Sequence, residues 1–236
     1  MRFITFMLVI MVMPSWVYAE NKLIQGGFVD LNYYPFLEDI NSDTTFTINT
    51  GLKLANGFSY FSLTNFWQAD GHDKARRWNK FYSEQNLRYT PNASLPLDAT
   101  VQWNPRSGKD NDRLRLGFRW RLNDTAQLKA FFKQLNLKYS LNFHLYQSDH
   151  DSASIWQIEH VYRIDLMPEL FKHRLYLAGF GDQFFNTQTG IEWVSEHQLG
   201  YKVYKNWHVV TEYRINTFRQ SDENNLAAGV EYLIKF

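Results

Sequence analysis

The chain has 236 residues, with 25 basic and 24 acidic side chains, a formal net charge of +1 and no cysteine. So even a balance leaves no electrostatic footprint for a nucleic-acid partner. The lack of cysteine excludes a disulfide framework, a cysteine-linked lipid anchor, a thiol nucleophile and a cysteine-based zinc site.

In chain order, Arg2 gives a short positive start, Ile4 to Met13 is an almost unbroken apolar run, and Val17-Tyr18-Ala19 closes it before Glu20. That order predicts a secretory signal peptide over 1–19 and a mature domain over 20–236. The run is shorter than the roughly 20 residues a membrane-spanning helix needs, and no longer apolar run follows it. Aromatic residues make up 17% of the chain beside 21% charged residues. Aromatics favour strands and membrane interfaces, so if the mature chain enters lipid, a closed barrel is the option that satisfies its backbone.

The dominant pattern is alternation with period two. In Arg113-Leu114-Arg115-Leu116-Gly117-Phe118-Arg119-Trp120-Arg121-Leu122 the even positions are apolar, and the odd ones are arginine except Gly117. A strand sorts these onto opposite faces, whereas a helix would scatter them. Segment 134–146 repeats the alternation. Leu135, Leu137, Tyr139, Leu141, Phe143 and Leu145 oppose Gln134, Asn136, Lys138, Ser140, Asn142, His144 and Tyr146. At the end of the chain, Leu226, Ala228, Val230, Tyr232, Ile234 and Phe236 share a face.

Polar turn clusters divide the chain into about twelve strands: 25–34, 44–54, 58–68, 80–90, 96–104, 112–122, 134–147, 154–166, 173–184, 190–203, 207–218 and 225–236. The third has no clear facing, because Phe and Tyr occur at both parities. Connections alternate between polar, charged ones and shorter or more apolar ones, as external loops and periplasmic turns do. Asn123–Lys133 is long for a turn and is expected to hold a short helix.

These features predict an all-β transmembrane antiparallel barrel, in the outer membrane of a Gram-negative bacterium. A lumen of this size is too wide for one apolar layer to fill. Four arginines on the lipid face of one strand would each cost roughly 2–4 kcal/mol at the midplane. The arginine ladder is therefore expected inside. By parity, the candidate pore-lining and solute-binding residues are Tyr34, Tyr82, Glu84, Arg88, Arg113, Arg115, Arg119, Arg121, Lys138, Glu159, Arg163 and Glu212. Glu84, Asp98 and Glu159 are candidate partners for the arginines, in which case the ladder is a structural network. Asn136, Asn142, His144 and Gln198 join the luminal set. His160 and His197 fall on the apolar parity, as interface residues or as slips of register.

Three stretches carry a family resemblance. They are Gly57-Phe58-Ser59-Tyr60-Phe61 through Ala69-Asp70, the hairpin Tyr162-Arg163-Ile164-Asp165-Leu166 with Leu175-Tyr176-Leu177-Ala178-Gly179-Phe180 and Phe184-Phe185, and the aromatic end Gly229 to Phe236. With the strand plan, they make the chain resemble the nucleoside-specific Tsx-like channels of Gram-negative outer membranes. The resemblance implies a narrow pore whose aromatics and polar groups bind nucleosides in passage. No binding residue is carried over position by position.

The leading expectation is a passive, partly selective channel for small polar solutes, without enzyme activity. One alternative is a barrel-embedded enzyme acting on lipid or lipopolysaccharide. Barrel hydrolases place His and Ser two residues apart on an outer strand face, but the His-x-Ser here, His150-Asp151-Ser152, falls in an expected loop. A closed structural barrel is the other alternative. The dispersed histidines show no metal-binding spacing, so neither metal nor cofactor is expected. Expected partners are membrane lipid, lipopolysaccharide through Lys74, Arg76 and Arg77, a small polar solute, and the outer-membrane assembly machinery through C-terminal Phe236; nucleic acid is not among them.

Overall fold

The computed structural model describes residues 23–35, 45–67, 80–108, 112–148, 155–218 and 223–236. The expected signal peptide, the Lys74–Arg77 cluster and His150–Ser152 lie outside these residues.

Alternating sequence becomes strand because successive side chains leave a pleated backbone on opposite sides. The strands are β1 (Ile24–Tyr34), β2 (Thr45–Leu54), β3 (Phe58–Trp67), β4 (Lys80–Tyr89), β5 (Leu97–Asn104), β6 (Arg113–Arg121), β7 (Leu137–Ser148), β8 (Ile155–Asp165), β9 (Leu175–Asn186), β10 (Gly190–Tyr204), β11 (Trp207–Asn216) and β12 (Asn224–Lys235). Each pairs antiparallel with its sequence neighbours, and β12 pairs back onto β1, so twelve strands close a barrel with no free edge. At the seam, Gly27 N donates to Phe236 O at 2.9 Å and Phe236 N donates to Gly27 O at 3.1 Å.

Strand β5 shows how the faces sort. Its burial alternates strictly: Asp98, Thr100, Gln102 and Asn104 are buried, while Leu97, Val101 and Trp103 are exposed. Polar groups buried with apolar groups exposed is the inverse of a soluble core. It is the arrangement of a barrel whose outer surface meets lipid. No helix among the described residues is long and apolar enough to cross a membrane; the strands cross it instead. A closed antiparallel barrel of this kind belongs to the Gram-negative outer membrane.

The connection from β6 to β7 holds the expected short helix, α1 (Lys129–Gln134), after a 3-10 turn at Leu122–Asp124. Asn123 fastens it, donating to Leu137 O at 2.7 Å and accepting from Tyr139 N at 2.6 Å. Phe132 of α1 is buried, its ring centroid 6.1 Å from that of Tyr139. A second short helix, α2 (Pro168–Phe171), joins β8 to β9.

The structure corrects the reading of segment 134–146. Gln134 ends α1 and Asn136 sits in a turn at φ 51°, so neither belongs to a strand. Between the pairs Leu116↔Tyr146 and Gly117↔His144, Leu145 is an extra residue. This β-bulge reverses the parity beyond it. Tyr146 therefore faces outward rather than joining the polar face, and Gln147 turns inward opposite Arg115.

Strand β3 acquires its facing from its neighbours. Asn65 pairs with Thr47 and Tyr82, and Leu63 with Asn49 and Glu84, which turns Ser59, Phe61, Leu63 and Asn65 inward. Tyr60, Ser62 and Thr64 consequently face outward, where side chains of β3 and β4 satisfy one another. Thr64 Oγ1 and Ser83 Oγ are 2.7 Å apart, and Tyr60 donates to Gln85 Oε1. His160 and His197 also face outward without any slip of register. Their Nδ1 atoms lie 2.6 Å from the hydroxyls of Tyr139 and Tyr162 respectively.

Candidate functional site

The lumen is built from alternate residues of all twelve strands, and its charges separate into two walls. On β4 to β7 the inward-facing bases Arg88, Arg113, Arg115, Arg119, Arg121 and Lys138 outnumber the acids Glu84 and Asp98. On the opposite arc every strand projects at least one acid: Glu159 and Asp165 from β8, Asp182 from β9, Glu192 and Glu196 from β10, Glu212 from β11, Glu231 from β12 and Asp30 from β1.

Within the basic wall, Asp98 carries two guanidinium groups. Arg119 Nη2 lies 2.5 Å from its Oδ2, and Arg121 pairs with its Oδ1. Arg121 also reaches Asp124 at 2.6 Å and Leu95 O at 2.7 Å, which ties the ladder to its turn. Arg115 is held differently, by amide oxygens. Its Nη1 donates to Gln102 at 2.7 Å and Asn104 at 3.1 Å, and its Nε to Gln147 at 2.8 Å. Its guanidinium carbon is 5.6 Å from the ring centroid of Phe184, three strands away. Arg113 pairs in register with Asn104, and Lys138 is exposed opposite Arg163.

Glu84 accepts from Tyr82 Oη at 2.5 Å and from Gln102 Nε2 at 3.4 Å. It is in electrostatic reach of Glu159, Asp182 and Glu196 on the facing arc. Tyr82 in turn accepts from Asn104 Nδ2 at 3.2 Å. Arg88 is buried beside Phe61, with 5.8 Å from its guanidinium carbon to the ring centroid. Glu159 accepts from Asn142 Nδ2 at 2.6 Å and lies 3.5 Å from His144 Nε2.

The acidic arc is tied together by a few bases and aromatics. Arg214 pairs with Glu212 and lies 3.4 Å from Glu196. The Tyr34 hydroxyl donates to Gln198 Oε1 at 3.0 Å, joining β1 to β10. Tyr176 donates to Glu231, and the guanidinium of Arg163 stacks 3.7 Å above the Tyr176 ring.

The structure thus places the twelve candidate pore-lining residues on the inner face and gathers most of them into these networks, while Asn136, also expected there, lies in a turn. Sequence reading missed Asp182, Gln157, Asn86 and Tyr176. In β9 the inward residues Tyr176, Phe180 and Phe184 are aromatic, as is outward Phe185, so parity gave no signal for Asp182. For Gln157 and Asn86, polar identity at the luminal parity of their strands was the available clue. No cluster of three or more metal-ligating side chains occurs among the described residues.

No family model matches the chain, and no curated protein matches it. Among solved structures it is similar to the KdgM porin, at 14% identity and a TM-score of 0.49, over 88% of this chain and 98% of that one. A second structure of that porin, in complex with disordered oligogalacturonate, matches at 15% identity and a TM-score of 0.48, over 88% of this chain and 98% of that one. An outer membrane channel from Pseudomonas putida F1 matches at 12% identity and a TM-score of 0.43, over 89% of this chain and 94% of that one.

Proposed function

We propose that this barrel is a passive outer-membrane channel for small polar solutes. The observation that carries the reading is the separation of luminal charge into a basic wall on β4–β7 and an acidic arc on β8–β1. A barrel selected only to be closed gains most by pairing each charge with its nearest opposite, because uncompensated buried charge is costly. Here Arg115 is held by amides and an aromatic ring instead. Opposed walls set a field across the lumen that attracts and orients solutes carrying both charge signs or strong dipoles.

Nucleosides, the cargo that the Tsx-like resemblance implies, suit the same lumen. The rings of Phe61, Phe184 and Tyr176 already hold planar guanidinium groups, and aromatic faces stack on bases in the same manner. Planar-bilayer recording tests both levels. Purified protein is expected to give discrete current steps, interrupted when uridine or adenosine is added. Absence of any step sinks the channel, while steps indifferent to nucleosides sink only that cargo.

Phe236 is exposed at the seam with β1. It suits recognition by the assembly machinery before β12 pairs with β1. Phe236→Ala is expected to lower the amount of assembled barrel in outer-membrane fractions several-fold. Equal amounts would remove that role.

A further inference from the structure

Residues Arg88, Thr100, Gly117, His144 and Gln157 are successive register partners across β4, β5, β6, β7 and β8, so they form one lateral row around the basic wall. Its four side chains are buried and face the lumen. Arg88 Nε, Thr100 Oγ1, His144 Nδ1 and both amide atoms of Gln157 make no hydrogen bond among the described residues. Gln157 faces Asp182 within side-chain hydrogen-bonding reach, but neither amide atom meets the geometry of a formed bond there.

The flanking rows add two half-used amides. Asn86 accepts from Gln102 at 3.2 Å through Oδ1 and leaves Nδ2 over. Asn142 donates to Glu159 through Nδ2 and leaves Oδ1 over. In each case the bond made fixes which end of the amide is presented.

A buried polar atom without a partner is costly, and chance rarely gathers so many in one row. The long side chains on either side do not serve it, since Arg115 is held by Gln102, Asn104 and Gln147, and Arg119 by Asp98. Nor does the middle of the row, where Gly117 has no side chain. A Cβ there would lie 1.8 Å from Phe143 O, so the close approach of β7 leaves no room for a side chain.

We infer that this row is a binding site for a neutral polyhydroxylated solute of monosaccharide size, free or as the ribose of a nucleoside. Donors (Arg88 Nε, Asn86 Nδ2, Gln157 Nε2) and acceptors (Asn142 Oδ1, Gln157 Oε1) are interleaved. A hydroxyl both gives and takes a hydrogen bond, so a polyol answers the whole set, whereas a simple anion or cation answers half of it. Phe61 beside Arg88 and Phe184 next to Gln157 in register supply apolar surface for a sugar's C–H face. The inference rests on the channel reading for how the solute arrives, but binding itself does not require conduction.

The test is a saturation-transfer NMR titration of the full barrel in detergent with D-ribose, D-glucose and uridine, for wild type, Thr100→Val and Gln157→Leu. Heat-dependent gel mobility verifies each barrel. Wild type is expected to bind, with affinity falling about ten-fold in each variant, the factor equivalent to about 1.4 kcal/mol. Uridine binding without either sugar would place recognition on the base and overturn the polyol site. No binding by wild type, or unchanged binding in both variants, overturns it too. Parallel conductance recordings separate the readings: current without sugar binding removes the site and keeps the channel, and sugar binding without current does the reverse.

Discussion

Asp98 shows what single residues decide in this lumen. Its carboxylate is fully buried and neutralises two arginines whose side chains remain about a fifth exposed. Asp98→Asn leaves both guanidiniums without their counter-charge. Breaking a fully buried pair costs about 3–5 kcal/mol, and the partial exposure of the arginines brings this towards the lower end. Asp98→Asn is therefore expected to lower the urea midpoint of the barrel and to shift the reversal potential in a KCl gradient towards chloride. A shift towards potassium, or none, would contradict the role given to Asp98. The arginine ladder and Asp98 as one of its partners were legible from parity alone, because Arg at alternate positions cannot face lipid cheaply. Asp182 was not legible, because aromatics flank it on both parities and only the pairing Glu159↔Asp182 assigns its side.

At the scale of the strand, the bulge at Leu145 and the glycine at 117 are one device. Beside the extra residue in β7, Phe143 O lies where a Gly117 side chain would go. Gly117→Ala alone is expected to destabilise the barrel by about 1–3 kcal/mol, the usual cost of overpacking. Deleting Leu145 restores regular alternation from His144 to Tyr146 and should recover much of that loss in the double variant. Urea titrations followed by tryptophan fluorescence check this, and strictly additive losses would show the two features to be independent. The gap at Gly117 in the ladder was visible in the sequence, but its cause was not. A bulge depends on how two strands meet, and strand β7 read alone continues its alternation through Tyr146. Strand β3 teaches the same lesson. Phe, Tyr, Ser and Thr at both parities carry no directional signal, and the inward set follows from pairing with Thr47, Asn49, Tyr82 and Glu84.

For the molecule as a whole, the proposed channel would draw its ion preference from the sum of the luminal charges rather than from any one pair. Opposed walls act through the solution between them, so added salt weakens their field. The screening length falls from about 10 Å at 0.1 M to about 3 Å at 1 M. The ion preference of the open barrel, measured by reversal potential at a fixed concentration ratio, is therefore expected to decline over that range. A preference independent of salt would assign selectivity to direct contacts or to pore width.

The strand count, the strand bounds to within a few residues, and the lipid-facing side of the clearly alternating strands were already written in the order of the residues. Alternation is local, and the cost of charge in hydrocarbon settles its direction. The facing of β3, the bulge in β7, the membership of Asp182 in the lumen and the division of charge between two walls came from the folded barrel alone. These depend on which residues sit opposite one another around a closed sheet, a relation between strands far apart in the chain that no single segment contains.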